Sequence, residues 1–574
     1  MSRVGRCRRG VVRRALSVLL VTVLVACTPP NLPAPLSPAA SDTTAPAPGP
    51  GGTISIGIDV GLRGFNPYVS AQWTPAAAAI ASLVLPSAFP AGATADTAPT
   101  ALVESAAVTS EDPFTVTYQL NQSAAWSDGT PIAAEDFSYL WQSMISTPGV
   151  VSPSGYQLIS DVRSVDAGKT VEVEFSVPFD DWRTLFSPLL PARLLKGTPG
   201  GFATALQTGI PVAGGVYRME SYDPGIGQVT LTRNDKYWTS DVAPNAAVFR
   251  EGSAGDLIAA LGRGDLQAVY LQPDGAASAA LAGVDDLRVI TAPLPVAARL
   301  DFNLGAGHPT ADEAVRTAIG NALPAALVRT ALAGGNTAGA LPVTSRLTLP
   351  AQPEAPAAPP ASYPGDPSVV ESILVAAGYE RPGLYFADAG EVLTVVLGYD
   401  LADLRATAAA RLIQRQLGTA GIQVDLVQLS DADLQQPLTA DSVPDVVLRT
   451  VPRSSSDLAE AIRATDCSGT LVAQAQAAST SATTTTTTTG TGTVAAVRCD
   501  ADVADMVDEL LAGVDRTADL DARLWASLDE YPVAEPTATL ALGPDLAGVA
   551  IPTDPADVLW TGVLHTLPTW PITG

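Results

Sequence analysis

Between residues 114 and 141 the chain reads FTVTYQLNQSAAWSDGTPIAAEDFSYLW, and no other stretch restricts its fold as much. Phe114, Val116, Tyr118 and Leu120 alternate with polar residues, the period of a strand with one buried face. Asp128-Gly129 supplies a turn. Phe137, Leu140, Trp141 and Met144 then recur at i, i+3, i+4 and i+7, which predicts a helix with one apolar face. Strand, turn and helix make a packing unit, in which the apolar and tryptophan side chains form core and the carboxylates form a solvated face.

The same string resembles, nearly position by position, a segment of the family 5 extracellular solute-binding proteins, the oligopeptide-binding type. Thr117, Tyr118, Leu120, Trp126, Asp128, Gly129, Pro131, Ile132, Ala134, Asp136, Phe137 and Trp141 carry the likeness. Ala133 stands where the family has a threonine that would cap the helix, a loss of about 1 kcal/mol at that helix start. The likeness continues through Gly214, Gly215, Tyr217, Arg233, Asn234, Tyr237 and Trp238, with Ala213 and Val216 as departures. Read by itself, Arg-Asn-x-x-Tyr-Trp is a structural corner. Further matches are the Phe302-Asn303 strand end with 312–319, Ala377-Gly378-Tyr379 closing a helix that Asp366-Pro367 opens, and a helix over 401–419 with Ile422, Val424 and Leu426 after it. The similarity spans 54 to about 533.

The resemblance implies an α/β, two-lobed periplasmic-binding-protein type II fold with an inserted extra subdomain and a ligand cleft at the hinge. Lobe I would combine 53–85, 206–298 and 535–574; the inserted subdomain would be 86–205; lobe II would be 299–534. In the family the first strand and the turn after it, here Phe65-Asn66-Pro67, line the cleft. A helix from about Pro75, capped by Thr74, follows.

The N-terminus reads as an export signal over 1–26. Arg3, Arg6, Arg8, Arg9, Arg13 and Arg14 precede an apolar run over 15–25, too short to span a bilayer that needs about 20 residues. Leu24-Val25-Ala26-Cys27 resembles a bacterial lipobox, which implies lipidation at Cys27 and anchorage on the extracytoplasmic face of the cell membrane. Residues 27–52, rich in Pro, Ala, Ser and Thr, read as a tether. The net charge of −26, which becomes −32 without the six arginines of the signal, excludes a nucleic-acid partner. A monomer is expected.

Histidine is limited to His308 and His565, and no G-x-S-x-G, P-loop or H-E-x-x-H occurs, so no catalytic residues, cofactor or metal are expected and the chain reads as a non-enzyme. Cys7 falls in the signal. Cys467 and Cys499 remain, and in an exported chain they would form a disulfide around the Thr-rich run 483–489, worth about 3–4 kcal/mol by chain entropy.

The family implies a small peptide as ligand and an ABC permease as partner. Its peptide binders hold the ligand's amino group with an aspartate that follows a strand ending in tryptophan. In the matching stretch, 444–454, Val451 stands for the tryptophan and Ser454 for the aspartate, with Asp457 nearby as an alternative match, while Arg449 and Arg453 add positive charge suited to an anion. That departure, with the lipobox and tether, is similar to a mycobacterial branch of the family associated with phosphatidylinositol mannosides. It implies a phosphoglycolipid ligand and a membrane protein of mannolipid synthesis as partner. The expected ligand-binding residues are Gln72, Trp73, Phe302, Asn303, Tyr399, Arg449 and Arg453.

Overall fold

The computed structural model describes residues 51–570, apart from 240–243, 361–362, 364, 435–437, 439–440, 466–499, 547 and 553. The expected signal, most of the tether, Cys27, and the pair Cys467 and Cys499 lie outside the described residues. No helix among the described residues is long and apolar enough to cross a membrane.

In chain order the described strands are β1 (Thr53–Ile58), β2 (Val103–Glu111), β3 (Phe114–Leu120), β4 (Ile159–Val165), β5 (Thr170–Phe175), β6 (Tyr217–Asp223), β7 (Gln228–Arg233), β8 (Ala246–Glu251), β9 (Ala268–Leu271), β10 (Arg288–Pro293) and β11 (Val296–Phe302). They continue with β12 (Ala340–Leu341), β13 (Ala387–Asp388), β14 (Glu391–Val392), β15 (Thr394–Asp400), β16 (Gln423–Leu429), β17 (Val446–Pro452) and β18 (Glu530–Leu542).

One sheet runs β16-β15-β17-β11-β18-β9-β1-β8-β7-β6, with β10 and β12 also paired to β18. Two strands cross its middle. The first half of β18 pairs with β11, Tyr531 opposite Leu300, and its second half pairs with β10 and β9, Thr539 opposite both Thr291 and Leu271. Along the same line the apolar side chains divide. Ala298, Leu300, Phe302, Tyr531 and Ala534 pack with the helices of one half, whereas Val296, Ala292, Ala538 and Leu540 pack with those of the other. Two hydrophobic cores joined by shared strands are the two lobes of the periplasmic-binding-protein arrangement, and the line between them is the natural hinge.

β1 lies between β8 and β9, parallel to both, with Ile54, Ile56 and Ile58 buried. The helix Pro75–Val84 follows it, its first turn closed by Thr74, whose Oγ1 accepts the Ala77 N–H at 3.1 Å. Between that helix and β6 the chain builds a separate antiparallel sheet, β2-β3-β5-β4. Its apolar face, with Phe114, Tyr118 and Phe175, merges with the β1 core rather than forming one of its own.

The opening motif works as a brace. Asp136 is buried, and its carboxylate accepts the Ala133 N–H at 3.1 Å, the Trp126 indole N–H at 3.3 Å and the Ala192 N–H at 3.0 Å. The helix Ala134–Ser146 therefore keeps half of a capping box without a side chain at Ala133. Lys169 closes the turn from the other side, its ammonium donating to the carbonyls of Asn121, Ala124 and Ile132. The paired glycines are steric: the N–H groups of Gly214 and Gly215 both donate to Val84 O, and a Cβ on Gly215 would lie 2.6 Å from Leu83 O.

The later helix expected over 401–419 begins at Leu404. Asp403 caps it by accepting the Arg405 N–H, so Leu401 and Ala402 stay outside, and Gly421 in the left-handed region ends it.

Candidate ligand site

A cavity of about 480 Å3 lies where the β1 half, the β2–β5 insertion, the hinge line and the C-terminal segment meet. That volume suits a small-molecule ligand. One wall is the helix Pro75–Val84, which presents Pro75, Ala78, Ala79 and Ser82 at i, i+3, i+4 and i+7, while Ile80, Ala81 and Val84 face the core. Small side chains on that face leave room beside the helix. Trp73, just before it, adds an indole. The insertion contributes Val151, Tyr156, Leu185 and Pro188. Tyr156 is fixed by its hydroxyl, which accepts the Phe186 N–H at 2.8 Å, and its burial pushes the phenol up to about 12.

Tyr237 and Trp238 form a further wall. They stand on a corner built as the sequence implied: the Asn234 side-chain amide donates to Gly215 O at 2.9 Å, and the Trp238 indole N–H donates to Ala101 O at 2.9 Å. The hinge line supplies Leu294 and Pro295 from the β10–β11 link, and Pro452, Arg453 and Ser454 from the end of β17. The last wall is Val558–His565.

The electrostatics of these walls are one-sided. Among the described residues no Asp, Glu or Lys borders the cavity, and its basic side chains are Arg453 and His565. The Arg453 charge is neutralised from behind: its Nε lies 2.9 Å from Glu460 Oε2, and its Nη2 donates to the carbonyls of Arg346 and Leu347. Glu460 also accepts the Ser454 N–H at 2.6 Å and pairs with Arg463. Burial opposes its charge, yet Arg453 and Arg463 hold its carboxyl below the usual range. Behind this pair the chain of charges continues through Arg463, Glu530, Arg346, Asp529, Arg299 and Asp301.

Of the seven expected ligand contacts, Trp73 and Arg453 border the cavity and the other five are placed elsewhere. Gln72 is buried and braces the loop after β1: its Oε1 accepts the Asn66 N–H at 3.1 Å, and its Nε2 donates to Ala203 O and Ala205 O. Phe302 and Tyr399 are core residues of the β15–β17 half, the Tyr399 hydroxyl accepting from Gln428 at 3.1 Å. Asn303 is buried and ties β11 to β17, its N–H donating to Asp445 O and its side-chain amide to Pro444 O, beside the His308–Asp445 pair. Arg449 has its Nε 3.1 Å from Asp301 Oδ2. The cavity lining outside that expectation is mostly small and aliphatic, with the aromatic Tyr68, Tyr156, Tyr270 and Trp560 among it. The signal for the helix wall was present as a run of small residues at helical spacing, and that for Trp560 as a tryptophan in a segment outside the matched region.

Residues 98–466 match the family described as bacterial extracellular solute-binding proteins, family 5 Middle. The chain is 36% identical over 469 residues to the probable monoacyl phosphatidylinositol tetramannoside-binding protein LpqW of Mycobacterium tuberculosis, covering 76% of this chain and 73% of that one. It is 26% identical over 367 residues to the oligopeptide-binding protein OppA of Mycobacterium bovis, covering 61% and 60%. In fold it is similar to the periplasmic EDTA-binding protein EppA (TM-score 0.69, 22% identity, 92% of this chain and 97% of that one). It is similar also to the oligopeptide-binding protein AppA of Bacillus subtilis in complex with a nonapeptide (TM-score 0.68, 13% identity, 92% and 100%).

Proposed function

Because this chain belongs to the bacterial extracellular solute-binding proteins of family 5, we propose that it holds an amphiphilic glycolipid in the cavity beside the hinge and presents it outside the cytoplasmic membrane. The observation that carries the reading is the composition of the walls: aromatic and aliphatic groups, hydroxyls, and no carboxylate among the described residues. A peptide's ammonium group, moved out of water, needs a carboxylate or several carbonyl oxygens as partner. An acyl chain needs only apolar surface, and sugar hydroxyls are served by Ser454, Ser455 and backbone groups. The name of the LpqW relative gives the ligand class its most specific form, a phosphatidylinositol mannoside. Arg453 would then face the phosphoryl group while sharing its charge with Glu460.

The remaining parts of the proposal follow from the sequence. Cys27 carries a lipid that anchors the chain, Cys467 and Cys499 form a disulfide, and lobes I and II meet near the start of β11 and the middle of β18. The chain acts as a non-enzyme that serves a membrane protein of mannolipid synthesis. A second reading, delivery of oligopeptides to an ABC permease, is favoured by the OppA relative and by the fold shared with AppA in its nonapeptide complex. Calorimetric titration separates the two. Saturable binding of a purified phosphatidylinositol mannoside, with no heat from tri- to nonapeptides, supports the first reading, and the reverse supports the second.

A further inference from the structure

We propose that Trp560, carried by the C-terminal segment, sets how large an apolar group the cavity admits. The inference rests on the cavity being the ligand site and adds a determinant from a part of the chain that lies beyond the last strand of the sheet.

After β18 the chain leaves the sheet and returns across the cavity, where Val558–His565 and Pro568 border it. Among the described residues, the backbone hydrogen bonds of this return run within it: Gly562 N–H to Val558 O, His565 N–H to Gly562 O, Trp570 N–H to Leu567 O. What fixes it to the body is burial. Val558, Leu559, Val563, Leu564, Leu567 and Trp570 are all at most 3% exposed, and the Trp570 indole N–H donates to Thr566 Oγ1 at 2.9 Å. The segment is thus a wall held by side chains, with Trp560 half-buried on its cavity side.

The indole is backed on one side by the chain at Gly92. A Cβ placed on Gly92 would lie 2.3–2.6 Å from Trp560 Cδ1, Cγ and Cβ, so the base of the side chain rests directly on the Gly92 backbone. Gly92 has φ +76, a conformation that other residues adopt only with strain. Backbone stands on one side of the ring and the cavity on another, so the ring is a fixed boundary. A ligand chain that outgrows the cavity meets this indole. Close-packed walls of this kind discriminate at the level of single methylenes.

The test uses the purified full chain and n-alkyl maltosides from hexyl to tetradecyl, each below its micelle-forming concentration, followed by titration calorimetry. In the unmodified protein, affinity rises with chain length and then breaks off. In Trp560→Ala and Trp560→Leu the break moves to longer chains, and the longest maltosides bind roughly tenfold tighter, the gain from about two more buried methylenes. Trp560→Phe lies between and shows that the effect follows ring size rather than loss of folding. Identical chain-length profiles for the unmodified protein and Trp560→Ala, with unchanged thermal unfolding, overturn the assignment and leave the cavity reading in place. Binding of peptides together with no binding of any maltoside by either protein removes the cavity reading, and this inference with it.

Discussion

Arg453 stands between the cavity and a buried chain of charges, so its substitution reports on both. Its guanidinium is 3% exposed and its partner Glu460 is 1% exposed. Arg453→Ala leaves Glu460 with Arg463 alone, and breaking a buried pair on one side costs about 3–5 kcal/mol; equilibrium unfolding in urea measures this directly. Glu535 offers a second test. It is fully buried on β18 at the line between the cores, and neither carboxylate oxygen has a well-formed hydrogen bond. Burial raises its carboxyl to about 8, with Arg453 and the Ala351 N–H acting weakly against the shift. The folded state therefore keeps the proton to about pH 8 while the unfolded chain loses it near 4.5, so stability falls as pH rises between those values and is level above. Glu535→Gln removes that slope and stabilises the protein at pH 7 by on the order of 3 kcal/mol. Thermal unfolding of both proteins from pH 5 to 9 checks it, and parallel pH profiles would count against a buried, protonated Glu535. Neither Glu535 nor the pairing of Arg453 was legible in the sequence. A run of arginines reads as free positive charge until the acids that neutralise it, some of them distant in the chain, are placed.

Among the elements, the helix Ala134–Ser146 begins with a defect that can be repaired. Its N-cap, Ala133, has extended backbone angles suited to a capping side chain but offers none, and the Asp136 half of the box is already in place. Ala133→Ser should raise stability by about 0.5–1 kcal/mol, read as an increase in melting temperature. Gly215→Ala should lower it by about 1–3 kcal/mol, because the added methyl meets backbone at Leu83 rather than a side chain that can move. These elements were the most legible part of the chain. Alternation gave β3 and β16, Thr74-Pro75 gave the start of a helix, and Ala377-Gly378 gave the end of another. The walls of the cavity were less so, since Pro75, Ala78, Ala79 and Ser82 differ from an ordinary surface face only in being small. That smallness acquires meaning once the insertion and the C-terminal segment are set opposite.

Side-chain contacts also join the two halves of the sheet and the insertion. Arg63 lies 3.8 Å from Asp400 and Arg405 donates to Gln272 O, while the Ser456 hydroxyl donates to Asp181 of the insertion at 2.6 Å. Arg63→Ala with Arg405→Ala should shift the balance toward an open form and weaken ligand binding about twofold to fivefold, the range of partly exposed ion pairs. A larger radius of gyration in X-ray scattering without ligand, restored on saturation, is the expected signature. The two-lobed architecture could be anticipated because long motifs with intact spacing run through most of the chain. The cavity could not, because it depends on which loops face one another across the hinge. On the proposed function the apolar cavity holds an amphiphile rather than a peptide. Native mass spectrometry of the protein purified from a mycobacterial host tests it most directly. A single retained phosphatidylinositol mannoside, retained also by Trp560→Ala, is the expected result; a ladder of short peptides in its place would contradict it.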